Sequence, residues 1–187
     1  LRYMVEASGH REDDDQIGLI YFGAEPTCEQ PPSPTPPSTE RQAVVDASGT
    51  DIASAVRLAL FTFPPGVRKR IVLATDGEPD TCAQPNPQNG QGVAIAAAEN
   101  AFANGIETVV LAVGDQVSQG HLQDMANAGA GLPVGGQQNA TFYQPTNEQG
   151  LIDDFNTIID GQRSCVLSLN GEIDPERACD GEVLLNG

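Results

Sequence analysis

The chain has 187 residues, with 26 acidic against 9 basic side chains and a formal net charge of -17. That length suits one domain with a tail, or one and a half; 39% hydrophobic residues can bury a modest core, and no apolar run approaches the roughly 20 residues that cross a bilayer. The charge repels phosphate backbones and anionic headgroups, and no basic cluster larger than Arg68-Lys69-Arg70 offsets it, so nucleic acid and membrane insertion are disfavoured against cations or the basic face of another protein.

The chain opens at Leu1 with no signal-peptide order near it and is read as a fragment. The run Glu12-Asp-Asp-Asp15 reads as a solvated turn, and the apolar run Ile17–Phe22 as a strand buried on both faces. Six prolines between Pro26 and Pro37 remove backbone donors, so residues 26–40 are expected to form an exposed loop acting as a spacer. Ile52, Val56, Ala59, Leu60 and Phe63 share one face of a helix. Strands follow at Ile71–Ala74 and Thr108–Val113. Between them an alanine-rich helix from Val93 to Ala103 stops at Asn104-Gly105. A short helix is expected over His121–Ala128, with His121 at the surface, then a short strand at Phe142-Tyr143. Leu151, Ile152, Phe155, Ile158 and Ile159 mark a last helix. Residues 163–187 read as two short strands around a turn. Strand and helix alternate, which predicts an α/β fold: a Rossmann-like, doubly wound, mostly parallel sheet flanked by helices, with a short C-terminal β extension.

Cys28, Cys82, Cys165 and Cys179 form no Cys-x-x-Cys pair and have only two histidines for company, which argues against zinc. Disulfides in an oxidising compartment are favoured over four free thiols, and three connectivities are open.

Two segments fall just beyond strand ends, where ligands bind in open α/β sheets: Ala47-Ser-Gly-Thr-Asp-Ile52, entering a helix, and Ile71-Val-Leu-Ala-Thr-Asp-Gly-Glu-Pro-Asp80. The Thr50 hydroxyl and the Asp76 carboxylate are hard oxygen donors of the kind Mg²⁺, Mn²⁺ or Ca²⁺ require. Their ordinary alternatives are a helix N-cap for Thr50 and a turn residue before glycine for Asp76.

In this order the segments resemble the von Willebrand factor A domain family, over about Asp13 to Ile159. Asp15-Gln-Ile-Gly-Leu-Ile-Tyr-Phe22 is similar to its second strand, Ser48-Gly-Thr-Asp-Ile52 to its threonine motif and Leu73-Ala-Thr-Asp-Gly-Glu-Pro-Asp80 to its aspartate motif. The resemblance implies a domain over residues 1–162 with a metal-ion-dependent adhesion site, in which Thr50 and Asp76 ligate Mg²⁺ (or Mn²⁺/Ca²⁺) directly or through water. Ser48, Glu78 and Asp80 would line its rim, and the cation would capture an acidic group of a protein ligand. Residues 163–187 would be an extension or the start of a further domain.

The family's first motif, Asp-x-Ser-x-Ser, has no match. Glu6-Ala-Ser-Gly-His10 leaves only six residues before Ile17, too few for the long helix that must intervene, and using Asp46-Ala-Ser-Gly-Thr50 would leave no threonine motif. Leu1-Arg-Tyr-Met-Val-Glu-Ala is read as the end of the first helix, which puts the central strand upstream. The strands Ile17–Phe22 and Ile71–Ala74 are then expected to pair directly or to drive aggregation. Two oxygen ligands should hold Mg²⁺ weakly. Cys28 and Cys82 would follow strand ends on the metal face, implying a Cys28–Cys82 bridge with Cys165–Cys179 as its complement.

The favoured function is an extracellular or cell-envelope adhesion-type binding module and not an enzyme. The alternatives are a metal-free scaffold for protein–protein interaction and, remotely, an α/β hydrolase or nucleotide-binding enzyme. None of the usual nucleophile-elbow, phosphate-loop, dinucleotide or metalloprotease motifs is present in the sequence.

Overall fold

The computed structural model describes residues 15–38, 40–80 and 89–161. The element order is β1 (Ile17–Phe22), β2 (Pro26–Ser33), α1 (Ile52–Thr62), β3 (Arg70–Thr75), α2 (Gln91–Ala103), β4 (Glu107–Ala112), α3 (Gln119–Gly129) and α4 (Glu148–Asp160). The fold is α/β. The expected C-terminal β extension, the helical reading of residues 1–7, and Cys82, Cys165 and Cys179 lie outside the described residues.

β3 and β4 form a parallel ladder in unbroken register from Arg70 opposite Glu107 to Thr75 opposite Ala112. Their side chains alternate between two cores, as strand geometry dictates. Leu73, Val110 and Ala112 face a core built with Ile52, Ala53 and Val56 of α1, the alanines of α2, and Leu122, Met125 and Ala126 of α3. Leu111, with Val72 and Ala74, faces the other way onto Phe155, Leu151 and Ile159 of α4. Helices therefore cover both faces of this ladder, which is why its strands are apolar from Ile71 to Ala74 and from Val109 to Ala112. Phe142-Tyr143 contributes a single parallel bridge, Tyr143 to Leu111.

Helix ends follow local chemistry. α1 stops at Phe63, whose backbone is extended, because Pro64 disfavours a helical residue ahead of it. α2 stops at Asn104, where the sequence marked its end. The small residues of α2 and α3 let helix and strand approach closely. A β-carbon at Gly129 would stand 2.1 Å from the Thr108 carbonyl oxygen.

Two expectations are corrected. Residues 26–33 are not a loop: they form β2, antiparallel to β1, with Phe22 opposite Pro26 and Ile17 opposite Ser33. The prolines are tolerated because β2 has a single partner among the described residues and the register slips between Ile17 and Ile20. Gly18 accommodates them, since a β-carbon there would meet the Pro32 ring nitrogen at 3.0 Å. Of the two outcomes expected for β1 and β3, direct pairing is not the one found: among the described residues β1 pairs with β2 and β3 with β4, in two separate ladders. The hairpin satisfies one edge of β1 from its own following segment, at low loop-closure cost. Cys28 lies half-buried within β2, opposite Ile20, with no disulfide among the described residues, so it is a strand residue and not part of a loop after the strand end.

Gly129→Ala tests this close packing. The added methyl must displace the Thr108 carbonyl of β4, so the variant should lose about 1–3 kcal/mol of unfolding free energy in a denaturant titration. A change within experimental error would show that α3 and β4 are not held this closely.

Candidate functional site

The segment between β2 and α1 is drawn back to the end of β1. Asp51 N–H donates to the Gly23 carbonyl at 2.7 Å and Ala24 N–H to the Asp46 carbonyl at 2.8 Å. Gly23 makes this approach possible, because a β-carbon there would lie 2.0 Å from the Asp46 carbonyl oxygen. On its other side the same segment meets the loop after β3, where Asp80 N–H donates to the Thr50 carbonyl at 2.9 Å. The two sequence segments singled out above thus share one end of the molecule.

The N-cap of α1 is Asp51. Its carboxylate accepts from Ser54 N–H and from Ser54 Oγ, both at 2.8 Å. Thr50, one residue ahead, is therefore released from the capping role its position allowed. Its hydroxyl turns to Gly77, where Oγ1 lies 3.3 Å from the position a β-carbon would take. Asp76, at the carboxyl end of β3, is exposed. Ser48 is also exposed and is held in a turn by Ser48 N–H donating to Asp46 Oδ1 at 2.9 Å. Hydrogen bonds from Ser48 lower the pKa of Asp46.

The remaining rim residues behave differently from one another. Asp80 is buried, and its Oδ1 has no hydrogen-bond partner among the described residues. A buried carboxylate oxygen left this way is costly unless a cation or proton compensates it. Glu78 points toward α3: Oε1 accepts from Ser118 N–H at 2.6 Å and Oε2 from Gln91 Nε2 at 2.8 Å. Burial pushes the Glu78 pKa up, but these hydrogen bonds and nearby His121 outweigh it and hold the carboxyl below its usual range. Glu78 thereby anchors the loop after β3 to the capped start of α3, whose N-cap is Ser118.

Thr50, Asp76 and Asp80 offer only hard oxygens, a donor set that fits Mg²⁺, Mn²⁺ or Ca²⁺. Among the described residues, no three or more His, Cys, Asp or Glu side chains are grouped to hold a metal. The Thr50 and Asp76 oxygens come from two adjacent loops.

His121 is the clearest correction at this end. It was expected at the surface but is buried at 5% exposure, and neither ring nitrogen has a hydrogen-bond partner among the described residues. α3 begins two residues earlier than the pattern suggested, which turns His121 inward one turn from Met125. Burial lowers its pKa, partly offset by Glu78 and Asp124. The Glu78–Ser118 link spans 40 positions and left no local signal in the sequence.

Solved structures share this fold. BatB of Bacteroides thetaiotaomicron, described as a conserved hypothetical protein, is 20% identical with a TM-score of 0.59 over 86% of this chain and 84% of that one. An aerotolerance-related membrane protein of Bacteroides fragilis is 20% identical with a TM-score of 0.57 over 86% of each chain. Proximal thread matrix protein 1 of the mussel byssus is 14% identical with a TM-score of 0.52, over 86% of this chain and 38% of that one. No protein-family model and no curated protein matches the chain.

The burial of His121 predicts a pH dependence. Its folded pKa lies below the unfolded value of 6.5, so between the two the unfolded chain binds the extra proton. The associated stability is fully present above about pH 6.5 and is lost as pH falls from there through the folded pKa. Unfolding free energy measured from pH 7.5 downward should decline, and His121→Gln should flatten that decline. An identical slope in the variant would contradict the assignment.

Proposed function

We propose that this chain carries a von Willebrand factor A-type binding module of the cell envelope or exterior. It holds a divalent cation at Thr50 and Asp76 and uses it to capture an acidic group of a protein ligand. The supporting observation is the meeting of the two motifs: capping by Asp51 leaves the Thr50 hydroxyl against Gly77, the residue after Asp76. When bound, the cation supplies a localised positive charge with a coordination position open to a carboxylate oxygen. The chain's own residues do the rest. Thr50 and Asp76 offer oxygens, the buried Asp80 carboxylate adds negative potential behind the site, and Glu78 fixes the loop by its bond to Ser118. With two protein oxygens among the described residues, the cation is held weakly. The function is binding and not catalysis. An envelope setting draws support from the structural neighbour of Bacteroides fragilis described as a membrane protein. Among the described residues, no helix is long and apolar enough to cross a membrane.

A second reading, a metal-free scaffold that engages partners through the same loops, is favoured by one observation. No group of three or more acidic, histidine or cysteine side chains among the described residues is placed to hold a metal.

Titration with Mn²⁺ separates the two. The cation reading predicts binding with Kd on the order of millimolar and paramagnetic broadening centred on the amides of Thr50 and Gly77. Asp76→Ala should abolish the broadening, and Thr50→Val should weaken it several-fold. Broadening unaffected by Asp76→Ala, or confined to other carboxylates, would leave the scaffold. Stoichiometric binding in the micromolar range would refute the two-loop account of affinity.

A further inference from the structure

Pro34, Thr35 and Pro36 form an exposed arch between Ser33, the last residue of β2, and Pro37, which is buried. Proline fixes its own φ and carries no N–H, so the arch is held extended without ladder bonds of its own. Thr35 is tied down by its backbone alone. Its N–H donates to Ser33 Oγ at 3.1 Å and its carbonyl accepts from Gln30 Nε2 at 2.9 Å, while the same Gln30 amide donates to the Ile17 carbonyl of β1 at 3.2 Å. The hydroxyls of the segment are therefore not equivalent. Ser33 Oγ accepts from Thr35 N–H, and Ser38 Oγ accepts from Glu40 N–H at 3.1 Å. The Thr35 hydroxyl is exposed and has no hydrogen-bond partner among the described residues.

We propose that Thr35 is a site of O-glycosylation, taking a sugar from a donor of the glycosyl phosphate class. The Thr35 oxygen attacks the anomeric carbon of the donor, and the bond from that carbon to the phosphate oxygen breaks. The phosphate leaves with the electron pair, and the hydroxyl proton passes to a base of the transferring enzyme. Serine and threonine set among prolines are the pattern of O-glycosylated segments, because an extended chain of small side chains leaves room for a sugar that a packed element does not. Thr35 adds to that pattern an unused hydroxyl on a backbone held in place from both sides. A phosphate on the same oxygen is disfavoured, since it adds about two negative charges to a chain whose net charge is already -17. The sugar has a structural use as well. β2 has a single partner among the described residues, and Pro26, Pro31 and Pro32 carry no donor for a further strand. A glycan just beyond Ser33 adds bulk against the same edge-to-edge pairing. The cation reading has no part in this assignment.

The test is mass spectrometry of the protein isolated from the cells that naturally produce it, with fragmentation that keeps side-chain modifications in place. The peptide spanning Thr35 should carry the added mass of one or more sugar residues, located on Thr35 and released by mild alkali to leave a dehydrated residue at that position. Thr141, also exposed but outside the proline frame, should be unmodified. Thr35→Val, produced in the same cells, should lose the added mass, and Thr35→Ser should keep it. Because the hydroxyl bonds to nothing among the described residues, the unfolding midpoint of Thr35→Val should match that of the chain stripped of sugar. An unmodified mass for the naturally produced protein would overturn the proposal. So would a phosphate on Thr35, a sugar on other hydroxyls with Thr35 bare, or full retention of the added mass in Thr35→Val.

Discussion

Thr50 and Asp51 hydrogen-bond in two directions through their backbone. The Asp51 N–H holds the end of β1 at Gly23, and the Thr50 carbonyl holds the loop after β3 at Asp80. Two ladders that share no strand-to-strand pairing among the described residues are thus joined at one end by a two-residue segment. The position of that segment depends on Gly23, since any side chain there would occupy the space of the Asp46 carbonyl. It also depends on the cap formed by Asp51 and Ser54, which starts α1 one residue after Thr50 and aims the helix across the core. A helix that began at Thr50 would consume its hydroxyl in capping and leave the loop after β3 facing a satisfied turn.

Around this clasp the molecule separates its tasks by position. Helices cover both faces of the parallel ladder, so only strand ends and connecting loops are free to contact ligands, as in other open α/β sheets. At the carboxyl end of β3 lie Asp76, Glu78 and Asp80, with Asp46 held beside Ala24. At the amino ends lie Arg68, Lys69 and Arg70. The Glu78–Ser118 link and buried His121 connect the acidic end to α3, so movement of the loop after β3 is resisted by the start of that helix.

Much of this was legible in the sequence where one physical signal dominated. β3, β4 and the helices announced themselves by apolar period and stop residues, because burial on both faces leaves few other solutions. The Asp76 segment follows β3 directly, whereas the Thr50 segment lies well beyond the end of β2 in sequence and reaches the loop after β3 through the Asp80–Thr50 backbone bond. Legibility failed where local and tertiary rules competed. The prolines of residues 26–37 argue for a loop, yet an edge hairpin with an irregular register tolerates them. The cap fell to Asp51 and not Thr50, two adjacent residues with similar capping propensity that only the fold could tell apart. His121 depended on where α3 begins, and a shift of two residues turns a side chain from solvent to core. The bond between Glu78 and Ser118 joins segments distant in sequence, which no local pattern records.

The most direct measurement of the central claim is a crystal structure of the chain soaked in Mn²⁺, with the ion located by its anomalous scattering. The account predicts a peak between the loop after Asp76 and the Thr50 hydroxyl, with Asp76 as the nearest carboxylate. A peak at another acidic cluster, with none between these two loops at saturating Mn²⁺, would contradict it.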